Sequence, residues 1–352
     1  MPWRTLLALA VVVAGSVLGG SCGSATPPAA ADPWGPYAIG VRSVAVAGSV
    51  AEVWYPAPQA AERAARRAGA TPDRYDIRDW LPARLVRRVT PGEFSLTTRA
   101  FRDLPVAPGT HPLVLFAHGL YSFPEQSTGL TTWLASWGYV VAAPDLPVHD
   151  LRAYFNYTAR GFPLPSGPTD EQILSAVVST LRQQSQAATG PLAGRVTTAA
   201  MAVIGHSQGG IDAMAFASTP GVRTYVPLAA GFAGSHPALP AIPSLWMAAG
   251  DDHDVAPGLV TRVYATAVAP KRLVVLPRSG HLAFTDLCLI NPDHGGLGAI
   301  APLVESAAPP GAPFTSSALD GCGTAFTPPA TSLAQIRSAI LSDLSRWLPA
   351  SG

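Results

Sequence analysis

Short apolar runs alternate with amphipathic stretches from residue 112 to the end of the chain. The apolar runs typical of buried strands are 112–117, 139–143, 201–204, 223–228, 243–248 and 272–276. The patterns typical of helices are 169–185, 209–217, 259–268 and 332–348. Such alternation requires right-handed crossover connections, so it predicts an α/β protein whose central sheet is mostly parallel and is covered by helices on both faces.

Four segments depart from this alternation. Two strands at 39–46 and 50–55 precede it. Residues 57–95 are rich in Ala and Arg and predict a partly helical excursion from the sheet. Residues 285–331 are rich in Gly, Pro, Ala and Ser and predict a long loop, which in a compact domain is functional or tied down.

Residues 1–25 have the pattern of an export signal. Their apolar run at 6–18 follows an arginine and is too short to span a bilayer. The small residues nearby permit two endings. One is cleavage after Ala25 or Ala31; the other is lipidation of Cys22, which would anchor the protein to a membrane. The sequence therefore predicts an exported protein, extracellular or in the cell envelope.

Composition limits the domain count and the class of partner. The chain has 352 residues, 48% of them hydrophobic, and after a Pro- and Ala-rich tether at 26–34 we expect one domain at 35–352. Only 13% of residues are charged and the net charge is +1, so no basic field exists for nucleic acid. Outside the signal region, Cys288 and Cys322 would form a disulfide in an oxidising compartment; two buried free thiols are the alternative.

Ser207 stands in a G-x-S-x-G pattern at 205–209. The pattern alone is weak, because residues 19–23 in the signal segment also match it. At 205–209, however, an apolar strand precedes the serine and a helix of small residues follows. This context is typical of the strained turn that lifts a nucleophilic serine above a sheet. An ordinary serine in a Gly-rich turn is the alternative, and His206 is expected to serve packing.

A serine nucleophile of this kind needs two N–H donors for the oxyanion. One should be the Gln208 backbone N–H, directly after the nucleophile. The other should come from the loop after the strand at 112–117, where Gly119 permits the turn and the Leu120 N–H is the candidate. The Tyr121 side chain would then face the acyl or ester group.

His281 is the candidate general base, because it follows a loop glycine beyond the last strand of the sheet. The carboxylate that orients it should follow the strand at 243–248, where three aspartates compete. Asp252 is favoured and Asp254 is the alternative, since the two could share a face of an extended turn. A weak calcium site is the competing interpretation of this acidic turn, but we expect no metal.

Together these segments resemble the α/β-hydrolases grouped with platelet-activating-factor acetylhydrolase and the dienelactone-hydrolase-like esterases. The matching stretches are 53–56, 116–120, 134–143, 205–210 and 280–286. The resemblance implies the α/β-hydrolase fold and a calcium-independent hydrolase of carboxylic esters without a cofactor. Cutinase-type polyester hydrolases are similar around the serine, so polymeric substrates stay open. Dienelactone hydrolases proper use a Cys nucleophile; Ser207 departs from them, and their lactone substrate is not carried over.

These features predict a secreted serine carboxylic-ester hydrolase, esterase- or lipase-like, that works through a Ser-His-Asp triad and an acyl-enzyme. A cell-envelope acyltransferase with the same triad and a non-catalytic hydrolase-fold protein that binds a lipid or a partner are the alternatives. The expected substrate is a small-molecule or lipid ester. An apolar acyl pocket lined by Tyr121, Trp246, Met247 and Phe284 is expected, with core packing as the alternative. The sequence does not indicate an oligomeric state.

Overall fold

The computed structural model describes residues 33–155, 167–292, 296–307 and 317–350. The predicted export signal, with Cys22 and most of the tether at 26–34, lies outside the described residues. Within them, no helix is both long enough and apolar enough to cross a membrane.

A nine-stranded sheet forms the centre of the part that the structure describes. The strands are β1 (Ala38–Val46), β2 (Ser49–Ala57), β3 (Arg74–Asp76), β4 (Ser95–Thr97), β5 (Phe101–Arg102), β6 (His111–Ala117), β7 (Val140–Pro144), β8 (Val196–His206), β9 (Val222–Leu228), β10 (Ser244–Ala249) and β11 (Lys271–Leu276). Their order in the sheet is β11-β10-β9-β8-β6-β7-β2-β1-β5, while β3 and β4 pair separately. From β7 to β11 neighbouring strands run parallel, and β2 joins β7 and β1 antiparallel. The predicted mostly parallel sheet is confirmed.

Helices cover both faces of this sheet, as predicted. They are α1 (Gln59–Arg67), α2 (Ala83–Val86), α3 (Thr128–Ser136), α4 (Leu151–Tyr154), α5 (Asp170–Gln186), α6 (Gln208–Phe216), α7 (Pro257–Thr266), α8 (Leu297–Ser306) and α9 (Pro329–Trp347). On one face α5, α6 and α7 bury side chains such as Val177, Phe216 and Val260. On the other face α3 and α9 bury side chains such as Trp133 and Ile340.

Helix α5 shows how the local sequence sets an element. Thr169 accepts a hydrogen bond from the Gln172 N–H, and the Gln172 side chain accepts one from the Thr169 N–H. This reciprocal cap satisfies two N–H groups that the first helical turn leaves without partners. Ile173, Val177 and Leu181 then follow at helical spacing and are buried against the sheet.

The excursion at 57–95 and the segment at 285–331 fold together. Leu85 and Phe94 of the excursion pack with Ile300 of α8 and with Phe123 in a third apolar core. The expectation of a long loop at 285–331 was therefore wrong in part: apolar residues at helical spacing form α8, which is buried against the excursion.

The predicted disulfide between Cys288 and Cys322 is present. It links two parts of the 285–331 segment that are 34 residues apart in sequence. Both cysteines belong to the third core, so the link holds that core together where it meets the end of the sheet.

Candidate active site

The predicted site residues follow neighbouring parallel strands of the sheet. Gly119 comes after β6, Ser207 after β8, Asp252 after β10 and His281 after β11. The carboxyl ends of parallel strands meet at one edge of a sheet, and α/β folds bind their ligands there. The topology therefore gathers four segments that are far apart in sequence.

Ser207 occupies a strained turn between β8 and α6. Its φ of 55° and ψ of −118° lie in a region that residues other than glycine rarely adopt. The flanking glycines make this turn sterically feasible. A Cβ on Gly205 would lie 1.9 Å from the Gly209 carbonyl oxygen, and one on Gly209 would lie 2.2 Å from that of Ala117. The spacing of the motif thus reflects close backbone packing around the serine.

His281 is paired with Asp252 and not with Asp254. The Nδ1 atom of His281 lies 2.9 Å from Oδ2 of Asp252, and both side chains are buried. Asp252 Oδ1 accepts hydrogen bonds from the N–H groups of Asp254, at 3.0 Å, and Val255, at 2.7 Å. The Asp254 carboxylate instead accepts a hydrogen bond from the Ser317 hydroxyl at the cavity wall. An imidazole that donates from Nδ1 leaves Nε2 free to accept a proton.

Acidic neighbours set the basicity of His281. Burial on its own lowers the pKa of this imidazole. The hydrogen bond and charge of Asp252, together with the charges of Asp254 and Asp320, outweigh burial and raise the pKa above its ordinary value. The site therefore favours a protonated imidazole next to carboxylates, which is the species that a general base becomes when it takes a proton.

The backbone N–H groups predicted as oxyanion donors belong to Gln208, which directly follows Ser207, and to Leu120, which lines the same cavity as Ser207. The Gln208 N–H lies in the first turn of α6, where helical N–H groups have no intrahelical partner. Leu120 follows Gly119, which lies close to the strained turn at 205–209 (the elbow): a Cβ on Gly119 would lie 3.4 Å from the Ser207 Cβ. Tyr121, with φ of 58°, turns the loop and donates its N–H to the His149 carbonyl. Among the described residues, no hydrogen bond occupies the N–H of Gln208 or Leu120.

A cavity of about 370 Å³ opens at Ser207 and His281. Its apolar lining comes from the loop after β6 (118–121, the oxyanion loop), the turn after β10, the segment that begins with His281 (280–286, the base segment) and the third core. The lining side chains are Leu120, Tyr121, Val255, Leu282, Leu287, Leu297 and Ala318. Leu120 is 41% exposed and lies at the cavity mouth. Asp254 adds a carboxylate to one wall.

Of the predicted acyl-pocket residues, Tyr121 lines this cavity and the other three do not. Trp246 and Met247 alternate along β10, so they point to opposite faces of the sheet and are fully buried under helices. Phe284 is 1% exposed and packs beside the His206 ring. The prediction for these three was wrong, because the flanking helices cover Trp246 and Met247 on β10, and Phe284 is buried beside His206.

Two other histidines next to Ser207 have structural contacts. His118 Nδ1 donates to the Gly119 carbonyl, and its Nε2 accepts from the Leu146 N–H. Burial lowers the pKa of His118 to about 3, so it stays neutral. Burial likewise holds the pKa of His206 well below its ordinary value, and this residue packs in the interior as expected.

His149, Asp170 and Asp212 form a cluster between the start of α5, which carries Asp170, and α6, which carries Asp212. Its ligand-type atoms are close enough together to hold a metal ion. The imidazole, however, presents Nδ1 to Asp170 at 3.2 Å and Nε2 towards Asp212 at 4.0 Å. Burial opposes its charge, but the hydrogen bond and charge of Asp170 raise the pKa of His149. The contacts of the imidazole with the Asp170 carboxylate and the His118 carbonyl account for its position without an ion.

Two polar residues at the site carried no sequence signal. Asp320 accepts hydrogen bonds from the His253 N–H, through its carboxylate, and from the Leu282 N–H, through its carbonyl. It thereby links the acidic turn to the base segment. Gln126 contacts both the oxyanion loop and the elbow. Neither lies in a periodic segment or a motif; only the position of Gln126 shortly after the oxyanion loop could have drawn attention to it.

Comparisons with known proteins agree with this geometry. A family model described as chlorophyllase matches residues 98–229, which include the oxyanion loop and Ser207 but end before Asp252 and His281. A solved structure described as a ferulic acid esterase from Streptomyces cinnamoneus is similar, with 21% sequence identity, a TM-score of 0.53 and coverage of 93% of each chain. No curated protein matches. The structural similarity shows that the chain has the predicted α/β-hydrolase fold.

Proposed function

We propose that the protein is a serine hydrolase of carboxylic esters that works through Ser207, His281 and Asp252. One observation carries the proposal: a strained elbow presents Ser207 to the same cavity as His281, while a buried carboxylate holds the far side of that imidazole. Nucleophile, base and orienting group are the three parts that activation of a serine requires.

The proposed reaction has two halves. In the first, Ser207 Oγ attacks the ester carbonyl carbon while His281 Nε2 takes the hydroxyl proton, and the N–H groups of Leu120 and Gln208 donate to the oxyanion. The bond to the alcohol oxygen then breaks, and His281 returns the proton to the departing alcohol. In the second half, water repeats the attack on the acyl-enzyme and releases the acid. Asp252 holds the imidazole tautomer throughout.

The cavity favours a small ester. Its volume of about 370 Å³ is near the lower end of ligand pockets, which span roughly 300–1,000 Å³. The mostly apolar walls suit a short alkyl or aryl acyl group, whereas a long chain would extend past Leu120 into solvent. Rates over p-nitrophenyl esters of increasing acyl length should therefore fall beyond short chains. A rate that rises steadily to long acyl chains would contradict this choice of substrate.

Replacement of the nucleophile tests the proposed activity. Ser207→Ala should reduce hydrolysis of p-nitrophenyl acetate by about 10³-fold or more and should abolish labelling by a fluorophosphonate probe. Ser218→Ala is a suitable control, because this exposed serine lies just beyond α6. Full activity of Ser207→Ala would refute the assignment. Wild-type protein that neither hydrolyses esters nor reacts with the probe would favour a binding function on the same fold.

We further propose that the protein works outside the cytosol. The disulfide between Cys288 and Cys322 supports this location, since such links persist in oxidising compartments. The pattern of residues 1–25 supports export, and Cys22 is the candidate for a lipid anchor. Fractionation of the producing cells, with mass analysis of the mature N-terminus, would distinguish a cleaved, a lipid-anchored and a retained protein.

A further inference from the structure

The Gln126 side chain joins two segments of the candidate site, and His206 extends this connection to a third. It is 1% exposed and borders the cavity. Its Oε1 atom accepts a hydrogen bond of 2.9 Å from the Gly119 N–H, in the oxyanion loop. Because that oxygen must face a donor, the amide nitrogen points the other way, where it lies 3.2 Å from Nδ1 of His206.

His206 extends this chain of hydrogen bonds to the base segment. Its Nε2 atom lies 3.1 Å from the carbonyl oxygen of His281, which can only accept. Nε2 therefore carries the proton, and Nδ1 is free to accept from the Gln126 amide. The neutral state that burial imposes on His206 agrees with this single tautomer.

The backbone next to Gln126 strengthens the same connection. The Asp286 N–H donates to the Gln126 carbonyl at 2.7 Å, and the Ser127 hydroxyl donates to the Phe284 carbonyl at 3.0 Å. The segment after His281 is thus held against the turn that carries Gln126. Among the hydrogen bonds that the described residues of this turn make, those of the Gln126 side chain reach Gly119 in the oxyanion loop and His206 beside the nucleophile.

The connected loops carry different parts of the proposed machinery. Gly119 precedes the candidate donor Leu120, His206 precedes Ser207, and His281 is the base. These groups come from the ends of three strands, so only noncovalent contacts set their spacing. Misplacement of reacting groups by about 1 Å can cost roughly 10²-fold in rate.

We propose that Gln126 is a positioning residue, which holds the oxyanion donor, the nucleophile and the base in register without touching the substrate's reacting atoms. The inference rests on the proposed function. It predicts an effect on the chemical step rather than on ester binding, because a displaced donor loses contact with the transition state more than with the bound ester.

The Gln126 amide also donates to the Ser127 hydroxyl oxygen at 3.2 Å, within the same turn. Two substitutions separate the hydrogen bonds that the side chain makes to Gly119 and to His206. Gln126→Met keeps the volume but loses every side-chain hydrogen bond of Gln126, and should lower kcat for p-nitrophenyl acetate by about 10–100-fold with little change in KM. Gln126→Glu can still accept from the Gly119 N–H but cannot donate to His206, so it should recover part of the lost kcat. Protonation of the new carboxyl group or of His206 would restore a hydrogen bond between the two side chains, so the loss in Gln126→Glu, relative to wild type, should lessen as pH falls.

Thr224→Val is the matched control for a purely structural effect. Thr224 is fully buried and donates one side-chain hydrogen bond, to Asp343, from β9. This variant should lose stability while its kcat stays at the wild-type value. Denaturant unfolding of each variant shows whether it is folded, and fluorophosphonate labelling rates report on Ser207 directly.

The outcomes are distinct. An unchanged kcat in folded Gln126→Met overturns the positioning role. If Gln126→Met does not fold, an unchanged kcat and an unchanged pH profile in Gln126→Glu overturn the positioning role instead. A rise in KM alone would show that Gln126 acts in binding and also overturns it. Wild-type protein without esterase activity or probe labelling refutes the proposed function, and the inference falls with it.

Discussion

Removal of the disulfide should weaken both the fold and the candidate site. The link between Cys288 and Cys322 closes a loop of 34 residues. Loss of that constraint on the unfolded chain is worth about 3.8 kcal/mol at 25 °C on the chain-entropy model. With an unfolding entropy of roughly 2 cal/mol/K per residue, Cys288→Ala/Cys322→Ala should lower Tm by about 6 °C.

The same double variant should lose activity for a structural reason. Residues 317–322 bring Ala318 to the cavity wall and Asp320 to the backbone N–H groups of His253 and Leu282. If the link is absent, this segment can open locally without unfolding the sheet. We expect kcat/KM for short esters to fall several-fold, mainly through KM, because the wall is disordered while Ser207 stays in its elbow.

Melting curves and steady-state kinetics, each with and without dithiothreitol, measure both effects. The reductant should shift wild-type protein towards the double variant and leave the variant itself unchanged. An unaltered Tm and an unaltered kcat/KM in the double variant would refute the reasoning. A lower Tm with full activity would show that the link stabilises the fold but does not shape the site.

Other predictions address the triad and the elbow. Asp252→Asn should lower kcat by about 10⁴-fold, because an amide supports the wrong imidazole tautomer. Asp254→Asn should lower kcat far less. Equal losses of kcat in the two variants would contradict the assignment. The acid limb of kcat/KM against pH should lie above the ordinary histidine value, because the pKa of His281 is raised, and Asp254→Asn should move this limb to lower pH by removal of a negative charge. Gly209→Ala should destabilise the fold by about 1–3 kcal/mol, because the added Cβ would lie 2.2 Å from the Ala117 carbonyl oxygen. An unchanged midpoint of urea unfolding would show that the elbow can relax to make room for it.

Local sequence determined much of the fold. Strand β6 and helix α5 lie close to their predicted bounds because apolar periodicity and a cap act over a few residues. The start of strand β8 was not predicted: the strand begins at Val196 and the apolar pattern only at residue 201. Its first half has few apolar side chains, and the pairing with β6 shifts register there. Helix α8 was not predicted, because the Gly and Pro residues in this segment are typical of loops and outweighed the helical spacing of four buried apolar residues.

The elbow around Ser207 could be predicted for a steric reason. Gly205 and Gly209 have no room for a side chain, so the turn leaves its requirement in the sequence itself. His281 was predictable from its order after the last strand. Trp246 and Met247 could not be placed, because their burial depends on which helices cover each face of β10.

The sequence by itself determined which segments are the candidates for the proposed chemistry: a glycine-flanked Ser207, a turn rich in aspartates, and a late His281. Only the tertiary structure decided which aspartate meets the imidazole. Asp252 and Asp254 are two residues apart, and the sequence favours Asp252 but leaves Asp254 open. The backbone N–H groups that donate to Asp252 and the Ser317 hydroxyl that donates to Asp254 fix the directions of the two side chains. The connection through Gln126 was likewise invisible in the sequence, because its partners come from separate strand ends and meet only when the parallel sheet brings those ends together.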